Sequence, residues 1–294
     1  MSAAMVILNY NDALRTVKLA QVMSHYSCLA HIILVDNCST DDSLAVMRDL
    51  LKDELAGENE SNASSRKIHI VPSSVNGGYA KGNNLGIQYA LSHFAPSHIF
   101  VANPDIMVEE QVLKSIVAAF EQNKGFGVIA PLVRQGYNVW KLPSFWGIIE
   151  SLYLVWFNLD KRAIKKKLQK SEIPLQRVGV VEGSLFCISA EAYRQIDGLD
   201  EGTFLYCEEN ILSKRLTEKH YKVGVLTEEY YDHFHSVSIK KHYKSKAKAF
   251  HNFHDSFQYY NEKYLRINSI QRMIFETSYA LAYVERCIYD LIKK

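Results

Sequence analysis

The sequence predicts an α/β protein built on a mostly parallel sheet flanked by helices, with a helical C-terminal extension. Three observations predict it: short β-branched apolar runs, segments of helical period between them, and polar turn-forming residues directly after each run. Residues 5–8, 31–35, 68–71, 98–101 and 128–130 are such runs and read as buried strands. Between them, Leu44, Met47, Leu51 and Leu55 fall on one helical face, as do Ile87, Ala90, Leu91 and Phe94, and then Leu113, Ile116, Val117 and Phe120. Strands alternating with helices of this length imply parallel βαβ units, whose ligands gather beyond the carboxyl ends of the strands. Residues 57–67 are polar and lack periodicity, which reads as an exposed loop before the third strand. The pattern turns helical near residue 240, dividing the chain into a domain over 1–240 and an extension over 241–294.

With 48% apolar residues in a chain of 294, a sizeable core is available. The formal net charge of +2 argues against a nucleic-acid binder, which needs a clear basic excess. Five widely spaced cysteines with no C-x-x-C pair read as reduced thiols. The N-terminus does not read as a signal peptide, and the apolar stretch 145–157, interrupted by Glu150, is too short to span a bilayer. These features together predict a cytoplasmic protein, reaching at most the inner face of the cell membrane.

The residues after the strands carry the chemistry. In order they are Asn9-Tyr10-Asn11, Asp36-Asn37-Cys38-Ser39, Asn76-Gly77-Gly78-Tyr79 and Asn103-Pro104-Asp105. Any one alone is an ordinary turn, but four in succession on one sheet edge make a site. Asp36 ends a strand where a carboxylate accepts hydrogen bonds from a ribose or a base N–H, while Ser39, Thr40 and Asp41 serve as caps of the following helix. The run from Asn76 through Lys81 and Asn83 to Gly86 is similar to a phosphate-cradling loop opening a helix. It lacks the G-x-G-x-x-G spacing and follows the third strand, which excludes a dinucleotide fingerprint. Asp105 with neighbouring Asn103 can hold Mg²⁺ or Mn²⁺ through oxygen, a diphosphate completing the shell. Glu208 and Glu209 open a later helix, either as dipole partners or as a base and a binding group. His233 and His235, two apart on a β-like run, share a face that suits a metal, a phosphate or a structural contact.

Together these motifs resemble family 2 of the glycosyltransferases, in its bacterial rhamnosyltransferase-like branch, which has the Rossmann-like GT-A fold. The resemblance runs over about residues 3 to 240. It is carried by LNYN at 8–11, DNCSTDDS at 36–43, NGGYAKGNNLG at 76–86, NPD at 103–105 and GLDEGTFLYCEE at 198–209. It implies that Asp36 recognises the base, with Asn9 and Asn11 near the nucleotide, and that the 76–86 loop meets the ribose and diphosphate. It further implies that Asp105 is the metal carboxylate, with Asn103 in place of the first Asp of D-x-D, and that Gly183 lies beneath the donor sugar. His233 fits the late histidine of an H-x-x-x-x-S pattern closed by Ser238, completing the metal site or contacting the diphosphate. Two departures stand out: Glu208-Glu209 replaces the usual Glu-Asp, and Ile211 stands where a second Asp is usual. The implied reaction is inverting transfer from a nucleoside-diphosphate donor, dTDP-rhamnose or a UDP-sugar, to a glycan or lipid-linked glycan acceptor in cell-surface polysaccharide synthesis, with Glu209 as base. The two departures leave a second reading, a catalytically weak nucleotide-sugar-binding module that partners another transferase.

Two further segments have alternatives. The aromatic stretch from Phe145 to Phe157, followed by cationic Lys161, Arg162, Lys165, Lys166, Lys167 and Lys170, suits either peripheral membrane contact over 145–170 or an amphipathic lid with a solvated basic face. Near the end, Ile270, Ile274, Thr277, Leu281, Val284, Ile288 and Leu291 recur at alternating spacings of four and three. Packing on the same domain is the first expectation for this seam, a homodimer the second and membrane contact the third.

Overall fold

The computed structural model describes residues 3–56, 67–153, 163–164, 166–168, 170–234 and 246–292. Its first half is β1 (Ala3–Asn9), α1 (Ala13–Ser24), β2 (Leu29–Asp36), α2 (Ser43–Leu50), β3 (Ile68–Pro72), α3 (Gly78–His93), β4 (His98–Ala102), β5 (Ile106–Met107), α4 (Glu110–Gln122) and β6 (Phe126–Val133). There follow β7 (Val139–Trp140), α5 (Phe145–Leu152), β8 (Leu175–Val178), β9 (Val180–Val181), β10 (Leu185–Ser189), α6 (Ala190–Gln195), α7 (Glu208–Glu218) and β11 (Lys222–His233). The chain closes with α8 (Lys246–Tyr260), a π-turn (Asn261–Leu265) and α9 (Ser269–Ile292).

The main sheet runs β3-β2-β1-β4-β10-β6-β11-β5, with β8 on the side of β11. β3, β2, β1 and β4 are parallel, as expected of βαβ units. β6 does not continue that run: β10 inserts between β4 and β6, antiparallel to both. This strand was not read from the sequence, because its LFCIS run (185–189) lies outside the regular strand–helix alternation.

Both faces of the sheet are covered, so its strands are apolar throughout rather than alternating. Met5, Ile7, Ile32, Leu34 and Phe100 meet α1, α2 and α4 in one core, while Ala4, Val6, Ile33, Val35 and Ile99 meet α3, α6 and α7 in the other. Helix α3 lies close on β1 and β2 because Gly86 faces them: a Cβ there would stand 2.5 Å from a Val6 methyl and 2.7 Å from a Val35 methyl. The expected helical face ending at Leu55 is shorter than the spacing suggests. Helix α2 ends at Leu50, and Leu55 bridges to Ile68 beside β3. Of the 57–67 loop only Lys67 is among the described residues.

The C-terminal extension is not packed apart. Helices α8 and α9 form a third core with Phe145, Ile148 and Leu152 of α5 and with Cys207 and Ile211 at the start of α7. Of the seam predicted to pack on this domain, Ile274 does so, and the other six positions face the other way. Phe275, Ala282 and Arg286 are the buried side chains of α9, whereas Ile270, Leu281, Val284, Ile288 and Leu291 are exposed. A heptad pattern fixes which residues share a stripe; it does not say which of two stripes meets the core.

Candidate active site

The carboxyl end of β1 meets that of β2 through side chains. Asn9, fully buried, donates from Nδ2 to Asp36 Oδ1 at 2.8 Å and accepts on Oδ1 from the Thr16 hydroxyl at 2.9 Å. Asp36 Oδ1 also accepts from the Ser39 hydroxyl at 2.6 Å, and Oδ2 from the Ser39 amide at 3.1 Å. Ser39, read as a helix cap, is therefore spent on Asp36; the N-cap position of α2 is Asp42, and Asp41, one residue earlier, accepts from the Ser43 amide at 3.0 Å. Asn11 adopts a positive φ of 54° and exchanges hydrogen bonds with Thr40, its Nδ2 donating to the hydroxyl and its Oδ1 accepting from the amide. Asn9, expected near the nucleotide, orients Asp36 from beneath.

The glycine-rich run has a different physical basis from the one expected. Gly78, at φ +86°, abuts the protein's own backbone, since a Cβ there would sit 2.2 Å from the Phe204 carbonyl oxygen. Two amides at the start of α3 are already used, Gly78 N donating to Asn76 Oδ1 at 3.2 Å and Tyr79 N to Phe204 O at 3.1 Å. Gly77 caps α3 against the Lys81 side chain, and Lys81 itself is exposed on the first turn. Asn83 is fully buried, donating to the Tyr79 carbonyl at 2.9 Å while its Oδ1 has no hydrogen-bond partner. The run is glycine-rich because a helix must approach both a strand pair and a neighbouring loop.

The second cluster lies where β4, β10 and β11 end. Asp105 Oδ1 and His233 Nε2 are 3.2 Å apart, and His233 Nδ1 is 4.0 Å from Glu182 Oε2. The pairing of β5 with β11 sets this geometry, with His233 opposite Ile106. Burial would raise the Asp105 pKa, but the His233 bond and charge outweigh it and hold the carboxyl below its usual value. Asn103 N donates to Ser184 O at 2.9 Å, tying the Asp105 loop to the Gly183 turn. His235 and Ser238 lie outside the described residues.

Gly183 is gripped on both sides of its backbone. Its amide donates to Glu209 Oε1 at 3.2 Å, and its carbonyl accepts from the Tyr79 hydroxyl at 2.5 Å. A Cβ at Gly183 would stand 2.9 Å from that hydroxyl, so only glycine fits without displacing it. Burial, then the charges of Glu209 and Glu208, push the Tyr79 pKa well up, which keeps it a donor. Tyr206 and Cys207 both have positive φ, 74° and 72°, a costly conformation for non-glycine residues that aims the two glutamates. Glu208 is buried, with Oε1 lacking a hydrogen-bond partner, and burial followed by the Glu209 charge raises its pKa. Asp200, in the preceding loop, accepts from the Gly202 amide and from Tyr259, Lys263 and Tyr264. Burial alone would raise its pKa, yet these bonds bring it down to about 2 and lock the extension to the site loop.

These clusters form one line of contacts. Asn37, next to Asp36, donates to Asn76 Oδ1 at 3.0 Å; Asn76 holds Gly78; Tyr79 holds Gly183; Gly183 holds Glu209; and Glu182 leads through His233 to Asp105. Glu182 and the linking role of Tyr79 were missed from sequence. Glu182 lies in a β-like run whose only signal was its place before Gly183, and Tyr79 looked like a spacer in a glycine loop. Asp105 and His233 offer a divalent ion an oxygen and a nitrogen donor, which fits a hard cation that keeps phosphate and water in the rest of its shell. Among the described residues no group of three or more metal-binding side chains forms.

The fold is shared with solved transferases. The fold is similar to that of the mannosyltransferase PcManGT from Pyrobaculum calidifontis, solved with GDP-Man and Mn²⁺, at TM-score 0.60 and 11% identity, covering 96% of this chain and 73% of that one. It is also similar to GalNAc-T7 solved with UDP, GalNAc and Mn²⁺, at TM-score 0.58 and 14% identity, covering 81% and 44%. The fold is therefore that of the GT-A glycosyltransferases. Residues 2–179 match the description Glycosyl transferase family 2, and the chain belongs to that family. A similar sequence is the low-salt glycan biosynthesis hexosyltransferase Agl10 of Haloferax volcanii, 25% identical over 224 residues. That match takes in 75% of this chain, which spans 63% of the relative's length. The rhamnosyltransferase WbbL of Escherichia coli is 26% identical over 204 residues, 65% of this chain and 73% of that protein. Among the described residues no helix is long and apolar enough to cross a membrane.

Proposed function

We propose that the protein is an inverting hexosyltransferase that moves a sugar from a nucleoside-diphosphate donor to a glycan acceptor. The observation that carries this reading is the unbroken contact line from Asp36 through Tyr79 and Gly183 to Glu209 and Asp105. Asp36, fixed by Asn9 and Ser39, offers Oδ2 to a base or ribose donor, and exposed Lys81 stands at the side where a diphosphate carries its charge. Gly183 leaves room for the sugar. Glu209, anchored by the Gly183 amide, takes the proton of an acceptor hydroxyl as it attacks the anomeric carbon. Protonated Glu208 beside it avoids a second buried charge. A divalent ion, Mg²⁺ or Mn²⁺, held by Asp105 and His233, supplies charge neutralisation at the diphosphate when bound.

dTDP-rhamnose and UDP-sugars are the donors to try first, and a lipid-linked glycan of a bacterial cell-surface polysaccharide is the acceptor class. Exposed Trp146 on α5 supports peripheral membrane contact within 145–170, of which 154–162, 165 and 169 lie outside the described residues, while Phe145, Ile148 and Leu152 stay in the third core. The test is sugar release and transfer with these donors in the presence of Mn²⁺. Glu209→Gln should lower kcat by about a hundredfold or more, and full activity in that variant would remove Glu209 from the base role.

A further inference from the structure

Helix α9 carries two apolar stripes rather than one. Phe275, Tyr279, Ala282 and Arg286 face the domain, with the Arg286 guanidinium 3.6 Å from the centre of the Phe250 ring. The other stripe is open: Ile270, Met273, Leu281, Val284, Ile288 and Leu291 are each between 51 and 72% exposed. A surface helix normally turns polar residues outward. Among the described residues this stripe holds no charged side chain from Ile270 to Leu291, a span of about 32 Å at the α-helical rise.

We propose that this face binds the same face of a second copy of the chain, making a homodimer through paired α9 helices. The argument goes beyond the catalytic reading and does not depend on it. First, from Thr277 onward the open positions 277, 281, 284, 288 and 291 recur at spacings of four and three, the repeat that keeps a stripe in register with another helix, since a straight helix drifts by about 20° per heptad. Second, the flanking positions suit close approach of a like surface. They hold Ser278 and Glu285 on one side and Ala280 and Cys287 on the other, mostly small or neutral. Third, burying the six open apolar side chains, each between 51 and 72% exposed, would take from water an area of the order of the ~800 Å² per partner of a stable interface. A membrane surface fits less well. Interfacial helices carry Trp, Phe or Leu on the apolar face and are rich in lysine and arginine on the polar face. The leucines are present, but the flanks of this stripe hold no lysine or arginine, and Arg272, outside the flanks, is paired with Glu262 at 3.3 Å.

Sedimentation equilibrium of the full chain from about 1 to 100 µM, without membranes, reads the proposal directly. Wild type should be dimeric, and Leu281→Glu with Ile288→Glu should weaken association by at least about a hundredfold. Thr277→Leu replaces the polar residue of the seam and should tighten association by about tenfold or more. Leu14→Glu, a like change on exposed α1, should leave the dimer unchanged. A wild-type monomer at about 100 µM overturns the proposal. So does dimerisation of the double variant at wild-type strength, or no tightening by Thr277→Leu. Wild-type monomer pelleting with phosphatidylcholine–phosphatidylglycerol vesicles, released by the double substitution, would instead assign the face to a membrane. Loss of donor turnover with the dimer intact would count against the catalytic reading alone.

Discussion

The two halves of the carboxyl edge treat their carboxylates differently. At β1 and β2, Asp36 is satisfied by Asn9 and Ser39 through short bonds. At the start of α7, Glu208 is buried with an unpartnered oxygen. Backbone strain does not separate the halves: Asn11 and Cys38 in the first have positive φ, as do Tyr206 and Cys207 in the second. A satisfied carboxylate is held in one orientation, whereas a buried one short of partners has its proton affinity raised. On the proposed reading, that contrast divides recognition in the first half from reaction in the second.

The most damaging way to break it is at the support beneath the second half. Ile211→Asp restores the acid usual in the family, but here the position is buried in the third core beside Phe275 and Tyr260. The expected cost is about 3 kcal/mol or more of unfolding free energy, read by urea denaturation. Next comes the roughly hundredfold fall in kcat for Glu209→Gln, with unfolding free energy nearly unchanged. Asn9→Ala should do the reverse. It leaves Asp36 and Thr16 short of partners and costs about 1–3 kcal/mol in the same denaturation experiment.

Glu208→Gln sharpens the contrast through pH. The folded-state pKa of Glu208 is raised, so its contribution to stability is full below its unfolded pKa and is lost as pH rises towards the folded value. Removing the charge should therefore make the variant lose less melting temperature than wild type between about pH 5 and 9, a difference of a few degrees. An equal loss in both proteins would mean that Glu208 is not strained.

Much of this architecture was legible in the sequence because buried parallel strands are apolar on both faces and their carboxyl ends announce themselves as polar turns. All five strands read from the sequence are present, and the loops after the first four meet along one edge. The inserted strand β10 was hidden because LFCIS (185–189) is a short apolar run without flanking helical period. At the site, residue types were readable but burial was not. Asn9 and Asn83 read as polar turn residues, and only packing shows that both are buried and hold Asp36 and the Tyr79 carbonyl. Ile211 looked like a lost acid, yet it anchors α7 against a C-terminal core whose sides no local pattern could distinguish.

The measurement that tests the central claim most directly is thermal stabilisation by UDP, dTDP, GDP and ADP, each with and without Mn²⁺, in wild type and in Asp105→Ala. A ligand of the native state stabilises it by about 2.7 kcal/mol at a hundred times its Kd. The account predicts a Mn²⁺-dependent rise in melting temperature with UDP or dTDP that disappears in Asp105→Ala. No shift with any of the four nucleotides at millimolar concentration would contradict it.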